Sequence, residues 1–219
     1  MYRYTGHCPG TYRWVLVCFV WGAVALGLAT YINPAVVHGG LTDHNTMMRV
    51  SAPITEESLK ALVLVYLACR RKLTHVGEGA TFGFAVGIGF AVIENFQYIT
   101  FDPAATIGVT AMVVRVLSTN LVQASASAGV GMALSWRPTQ PTRQTSVILF
   151  GVGLMLASGL HAAFNNVVTR VGGSALVVYA VLMGVASAAT VLFVVAVMHE
   201  QPGAASVVRV MGRAPNGND

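Results

Sequence analysis

Long apolar segments alternate with short polar loops along this chain. Six segments approach the ~20 residues that a helix needs to cross a bilayer. They cover residues 14–32, 54–69, 80–99, 104–136, 146–168 and 174–198. The pattern predicts an all-α fold, a polytopic membrane helix bundle with about six transmembrane helices.

The composition supports this interpretation and limits the number of domains. The 219 residues are 55% hydrophobic and only 10% charged, with a mean hydropathy of +0.66, whereas average soluble domains carry about 25% charged residues. We expect a single transmembrane helical domain over residues 1–200. Residues 201–219 follow the last apolar segment, contain Pro202 and Gly203, and are predicted to form a disordered cytoplasmic tail.

Basic residues set the expected orientation in the bilayer. The formal net charge is +5, but the basic residues lie in loops between apolar segments, so we expect no nucleic-acid partner. The more basic side of a membrane protein faces the cytoplasm. That side holds Arg3, Arg13, Arg70, Arg71, Lys72, Arg137, Arg143, Arg209 and Arg213. The sequence therefore predicts a multi-pass protein of the cell membrane with both termini in the cytoplasm.

The second apolar segment carries an acidic pair followed by a lysine. Glu56 and Glu57 lie four and three residues before Lys60, so the lysine can pair with either acid on one helix face. A charged residue near the middle of a spanning helix costs roughly 2.5 to 3.5 kcal/mol. A solvated helix start is the alternative, because the helix dipole favours acids at its N-terminus.

The third segment combines a stripe of small residues with a carboxylate. A small residue recurs every four positions, which allows a neighbouring helix to approach closely. The stripe comprises Gly79, Gly83, Gly87 and Ala91. Glu94 and Asn95 follow near this face, so we expect the helix contact to carry the carboxylate inward. An acid that ends the helix among the lipid headgroups is the alternative.

The fourth and fifth segments each present a polar face. Arg115, Thr119 and Gln123 repeat at four-residue intervals in the fourth segment. His161 lies four residues before Asn165 in the fifth. A neutral imidazole can exchange a proton near neutral pH, and an Asn amide can donate to an oxyanion.

Alternating chain directions bring these groups to one level of the bilayer. The second and fourth segments run inward from the outer face and the third and fifth return to it, so the polar groups converge near the outer leaflet. Arg115 is then the expected countercharge for Glu94 or for the Glu56–Glu57 pair. A purely structural salt bridge is the alternative to a catalytic site.

Four motifs occur here in one order. They are Glu56-Glu57-x-x-Lys60, Phe90-Ala91-x-x-Glu94-Asn95-x-x-Tyr98, an Arg115-led polar helix with Gly131, and His161-x-x-x-Asn165. This order resembles the PrsW family of intramembrane proteases, which is related to the type II CAAX prenyl endopeptidases and the bacterial CPBP proteins. The resemblance spans residues 53–165.

The resemblance implies a hydrolase of a prokaryotic cell membrane that cleaves membrane-protein substrates within the lipid bilayer. Anti-sigma factors are the best-known substrate type, and the active site opens to the extracytoplasmic side. One position departs from the family pattern. The family usually has a His eight residues after the Arg, where this chain has Gln123. Gln cannot act as a base and is a poor metal ligand, but it can still donate a hydrogen bond.

The preferred mechanism is peptide hydrolysis by a carboxylate-activated water. Glu57, or else Glu56, acts as the general base. Glu94 orients the water or His161. His161 and Asn165 stabilise the oxyanion. The supporting residues are Lys60, Asn95, Arg115 and Gln123. No cofactor is expected, but a variant with a divalent metal such as zinc held by Glu57, Glu94 and His161 stays open.

Two functions of other classes fit part of the pattern. Gln123 favours a noncatalytic relative that binds a membrane protein as a scaffold. Intramembrane acids and a histidine are also typical of the proton relay of a transporter. The sequence shows no inverted repeat and no helix broken near the bilayer midplane, which speaks against transport.

Overall fold

The computed structural model describes residues 11–101, 109–136, 143–170 and 174–199, and no strand occurs within these ranges. The helices are α1 (Thr11–His38), α2 (His44–Thr46), α3 (Ala52–Cys69), α4 (Val76–Phe101), α5 (Val109–Ser135), α6 (Arg143–Arg170) and α7 (Ser174–His199). A π-helical turn, Met47–Ser51, joins α2 to α3. The prediction of an all-α membrane helix bundle is confirmed. The expected tail at 201–219 lies outside the described residues.

Three stretches of the described chain are long and apolar enough to cross a membrane. They are Tyr12–His38, Val76–Phe101 and Gln144–Val167. Helix α3 has 18 residues, but its acidic pair and lysine lower its mean hydropathy. The side chains that weaken the membrane signal of α3 are therefore the candidate site residues themselves.

A short polar cap connects α1 to α3. Asp43 precedes α2, and its Oδ1 accepts the backbone N–H groups of Asn45 and Thr46 at 2.9 and 3.1 Å. The Thr46 hydroxyl donates to Asp43 Oδ2 at 2.5 Å. The hydrogen bond from the Thr46 side chain, together with the backbone bonds, lowers the pKa of Asp43. The π-helical turn follows directly, and its first residue, Met47, is buried.

Helix α4 packs against α5 along the predicted stripe of small residues. A Cβ atom at Gly83 would collide with the Ser127 carbonyl, and one at Gly87 would collide with the Gln123 backbone. The two helices therefore touch backbone to backbone, as such small-residue stripes permit. The Glu94 side chain, two turns further along α4, reaches the Gln123 side chain.

Helix α4 also packs closely on α1, on its opposite side. A Cβ atom at Gly22 would collide with the Val86 carbonyl, and one at Gly89 would collide with the Phe19 carbonyl. Helix α4 is thus held between α1 and α5. Phe90, which lies at this junction, is fully buried.

Helices α3, α6 and α7 complete the bundle around α5. At one end of the bundle, helices α3 and α5 start and helices α1, α4 and α6 terminate. We call this the site end. Cross-helix bonds establish this order, since Asn33 near the end of α1 contacts Glu56 near the start of α3. Toward the other end the interior is apolar and includes Leu64, Leu67 and Phe82.

Candidate active site

Glu57 and Lys60 form a buried ion pair on the inner face of α3. Their side chains are 0% and 1% exposed, and Lys60 Nζ donates to Glu57 Oε1 at 2.5 Å. Lys60 also donates to Gln123 Oε1 and lies 4.2 Å from the centroid of the Phe90 ring. The i,i+3 pair expected from the sequence is present, and its ammonium group links α3, α4 and α5.

Gln123 uses its amide to connect three other side chains. An ammonium group has only donors, so the amide oxygen must face Lys60. The amide nitrogen then donates to Glu94 Oε2 at 2.9 Å and lies 3.2 Å from His161 Nε2. Gln123 therefore links Lys60 by hydrogen bonds to Glu94 on α4 and to His161 on α6.

This network determines which nitrogen of His161 carries the proton. His161 Nε2 faces the amide donor of Gln123, so Nε2 accepts and the proton resides on Nδ1. His161 Nδ1 lies 3.0 Å from Glu57 Oε1 and donates to it. A buried carboxylate that holds an imidazole by Nδ1–H is the arrangement that orients the base in hydrolase triads.

Glu56 is the more accessible member of the acidic pair. Its side chain is 13% exposed, and Glu56 Oε2 lies 3.7 Å from His161 Nε2. This separation is too long for a direct hydrogen bond, but a water oxygen can contact both atoms. The Asn33 amide donates to Glu56 Oε1 at 3.0 Å and fixes the carboxylate.

Asn33 is a site residue that the sequence reading missed. The first apolar segment was expected to end at residue 32, which placed Asn33 in a loop. Helix α1 instead continues through Pro34 to His38. The signal that could have found Asn33 is its polar amide directly after an apolar run, one turn short of the helix end.

Arg115 does not pair with the acids, contrary to expectation. Its Cζ atom lies 3.4 Å from the centroid of the Tyr98 ring, and among the described residues no ion pair involving Arg115 is found. Helices α4 and α5 are antiparallel, so the residue one turn beyond Glu94 faces the stretch of α5 that precedes Gln123. The guanidinium group stacks on the aromatic ring there, and Lys60 supplies the countercharge instead.

The remaining candidates surround the buried group. The Asn95 amide donates to Asn120 Oδ1 at 3.2 Å. Asn165 lies one turn from His161, and its amide donates to the Met48 carbonyl at 3.2 Å. The structure thus brings Glu56, Glu57, Glu94 and His161 together with Lys60 and Gln123. Asn95, Arg115 and Asn165 lie on neighbouring turns of the same helices.

One oxygen in the group has no hydrogen-bond partner. Glu57 Oε2 is buried and unpaired, as are Thr119 Oγ1 and Arg115 Nε on α5. A buried polar group without a partner costs about 1–3 kcal/mol. Such groups require an explanation, and a site that receives a substrate or water is one.

The donor set does not fit a zinc site at Glu57, Glu94 and His161. Three ligand atoms would have to lie about 2.0–2.2 Å from one point. Instead, N–H donors engage one ligand atom of each of the three residues. The Gln123 amide nitrogen lies between Glu94 Oε2 and His161 Nε2, and Lys60 Nζ contacts Glu57 Oε1. Within the described ranges no group of three or more His, Cys, Asp and Glu side chains is arranged to hold a metal.

Comparison with protein-family models gives one match over most of the chain. The model described as PrsW family intramembrane metalloprotease matches residues 10–200. The match includes every helix described above and all the candidate site residues. No curated protein and no solved structure matches the chain.

Proposed function

The chain belongs to the PrsW family of intramembrane proteases, and we propose that it is an endopeptidase that cleaves membrane proteins with a glutamate-activated water. One observation carries the proposal. His161 lies between two carboxylates, with Nδ1 3.0 Å from Glu57 Oε1 and Nε2 3.7 Å from Glu56 Oε2. A membrane helix bundle gains no stability from three acids and a histidine in its interior. Chemistry is the reason to keep them there.

Glu56 accepts the proton of the attacking water. The sequence favoured Glu57 for this role, but Glu57 is fully enclosed and its Oε1 already accepts from Lys60 and His161. Glu56 is partly exposed, and its Oε2 faces His161 Nε2. A water held between these two atoms can attack a peptide carbonyl as Glu56 removes its proton, a step typically worth 10²–10⁴-fold in rate.

His161 passes this proton to the leaving nitrogen. When the Gln123 amide releases Nε2, the Nε2 lone pair accepts the proton from Glu56, and the resulting imidazolium is stabilised by the Glu57 carboxylate at Nδ1. Nε2–H then protonates the amine as the C–N bond breaks. Both Glu56 and His161 return to their starting protonation states, so the cycle balances. Lys60 is the countercharge of Glu57, and Gln123 holds the ring orientation until the proton is transferred to Nε2.

The oxyanion needs a donor near His161, and Asn165 is the candidate. Its amide lies one helical turn from His161 and donates to a main-chain carbonyl, a bond that an entering substrate can exchange. One such donor is typically worth about 2.7–4 kcal/mol. The site end faces the extracytoplasmic side in this proposal, and the substrate is a single-span membrane protein, of which an anti-sigma factor is one type.

The proposal contains no step through a metal. The family description names a metalloprotease, whereas the N–H groups of Lys60 and Gln123 engage Glu57 Oε1, Glu94 Oε2 and His161 Nε2. In this chain those two side chains supply the positive charge and the donors that organise the acids.

The test compares membrane-protein N-termini in cells that express the wild type or Glu56→Gln at equal levels. We expect a defined set of cuts on the extracytoplasmic side that is absent in Glu56→Gln. Glu78→Gln is the matched control, because Glu78 lies at the start of α4, away from the site end, and its map should equal the wild type. Identical maps for the wild type and Glu56→Gln, with both proteins folded, would show a noncatalytic binding protein instead.

A further inference from the structure

A large apolar groove lies between α5, α6 and α7. Its volume is about 870 Å³. Helices α6 and α7 each pack mainly on α5 and only slightly on each other, so a gap remains between them. The floor is formed by small residues of α5, namely Ser125, Gly129 and Ala133, and Leu156 and Met183 belong to the two walls.

The groove begins at the level of the candidate active site along the bundle, and none of the described candidate site residues lines it. Leu160 lines it and directly precedes His161, and Ser125 lines it two residues after Gln123. The other end is at Trp136. The twelve residues from Ser125 to Trp136 span about 16 Å along the helix axis, which is roughly half of the ~30 Å hydrocarbon core. The groove therefore runs from the level of the site away from the site end.

We propose that this groove receives the transmembrane helix of the substrate, on the side of the scissile bond that lies deeper in the membrane. This inference rests on the proposed protease function and adds the substrate's binding surface. A helical segment 16 Å long and 10 Å wide occupies about 1,250 Å³, a volume of the same order as that of the groove.

The chemistry of the walls selects this occupant. Every residue that lines the groove is uncharged, which suits an apolar helix and rejects a soluble peptide. Small residues on the floor allow the backbone of a second helix to approach closely. Ser125 is 4% exposed and its hydroxyl has no hydrogen-bond partner among the described residues, so it can bond to an entering helix near the site.

Gly129 allows the groove to be filled without disturbing the fold. A Cβ atom at Gly129 meets nothing within 4 Å, so the side chain of Gly129→Leu extends into the empty volume. Gly27 on α1 is the matched control. A Cβ atom there also meets nothing within 4 Å, and Gly27 does not line the groove.

The first experiment measures binding without cleavage. The probe is a transmembrane peptide of about twenty Leu and Ala residues, flanked by lysines and placed with the Glu56→Gln protein in phosphatidylcholine vesicles. A photoreactive phenylalanine analogue replaces Leu156, which is 70% exposed in the groove, or Leu28, which is 41% exposed on α1.

We expect peptide adducts from position 156 and not from position 28. Gly129→Leu should reduce the adduct at least tenfold, while Gly27→Leu should leave it unchanged. Adducts only with lipid, adducts only with a second copy of the protein, or equal adducts from both positions would overturn the inference.

The second experiment separates failure of the groove from failure of the protease function. N-terminal maps are compared for the wild type, Gly129→Leu and Gly27→Leu. Loss of the wild-type cuts in Gly129→Leu alone supports the inference, and unchanged cuts in Gly129→Leu overturn it. If the wild type itself makes no cut, the protease proposal fails, and the cross-linking result still decides whether the groove binds a helix.

Discussion

Helix α5 has two unlike sides. Toward α4 it packs backbone to backbone at Gly83 and Gly87, and the hydrogen-bonded chain from Lys60 through Gln123 to Glu94 crosses this contact. Toward α6 and α7 the same helix borders a groove of about 870 Å³. One side is closed and carries the charges, and the other is open and apolar.

The contrast follows from what each side has to hold. A buried charge is tolerated only when its partners are fixed at hydrogen-bonding distance, because an unpaired charge in a low-dielectric interior costs several kcal/mol. Close backbone packing at glycines fixes the positions of those partners. An apolar helix needs volume and surface rather than exact contacts, so the open side can stay loosely filled.

The largest effect is expected from Lys60→Met on the closed side. The substitution keeps the apolar stem but leaves Glu57 without its cation, and breaking a buried pair costs roughly 3–5 kcal/mol. We expect the apparent Tm in detergent to fall by about 6–20 °C and cleavage to be lost. Lys72→Met, at an exposed loop lysine, is the control.

The double variant Lys60→Met with Glu57→Gln sharpens this test. Removing the carboxylate charge as well should recover much of the lost stability, since no unpaired charge then remains. If the two single effects simply add, Lys60 and Glu57 are not coupled and the ion pair does not organise the closed side.

A smaller loss of stability is expected from Gly87→Leu. The new side chain meets the Gln123 backbone, which cannot move aside as a side chain can, so the helices must separate. Overpacking usually costs about 1–3 kcal/mol, and we expect the upper end, a fall in Tm of about 6–12 °C. Gly129→Leu on the open side should change Tm by less than about 2 °C. Equal losses at both glycines would remove the distinction between the sides.

The smallest effect is expected from metal removal. Because Lys60 and Gln123 engage the acceptor atoms of the acids and of His161, treatment of the purified protein with a chelator such as 1,10-phenanthroline should leave cleavage unchanged within about twofold. A zinc endopeptidase treated in parallel shows that the chelator acts. Loss of cleavage that added Zn²⁺ restores would mean that the acids rearrange to bind a metal.

The sequence was informative about the elements and about which residues are chemically unusual. Helical spacing of small residues predicted the α4 contact surface, and charges within apolar segments identified Glu57, Glu94 and His161 as candidates, because lipid tolerates such groups only in the interior. The i,i+3 spacing of Glu57 and Lys60 also predicted their ion pair.

The partners between helices could not be predicted in the same way. Arg115 was the expected countercharge, since guanidinium groups commonly pair with carboxylates. Its position on α5, about two turns before Gln123, places its guanidinium group over the Tyr98 ring. Asn33 was missed because α1 extends about one and a half turns beyond residue 32, where the apolar segment was expected to end.

By itself the sequence determined an all-α membrane bundle, its family and the polar residues it must bury, because periodicity and hydropathy are local properties of the chain. Only the tertiary structure decided that Gln123 joins Lys60, Glu94 and His161, that the ring of His161 has its protonated nitrogen toward Glu57, and that a groove opens beside them. These depend on how far each helix is rotated and shifted against its neighbours. The glycine contacts that set those positions join segments tens of residues apart. The spacing of the glycines within α4 predicts a contact surface but not which residues of the other helix lie against it.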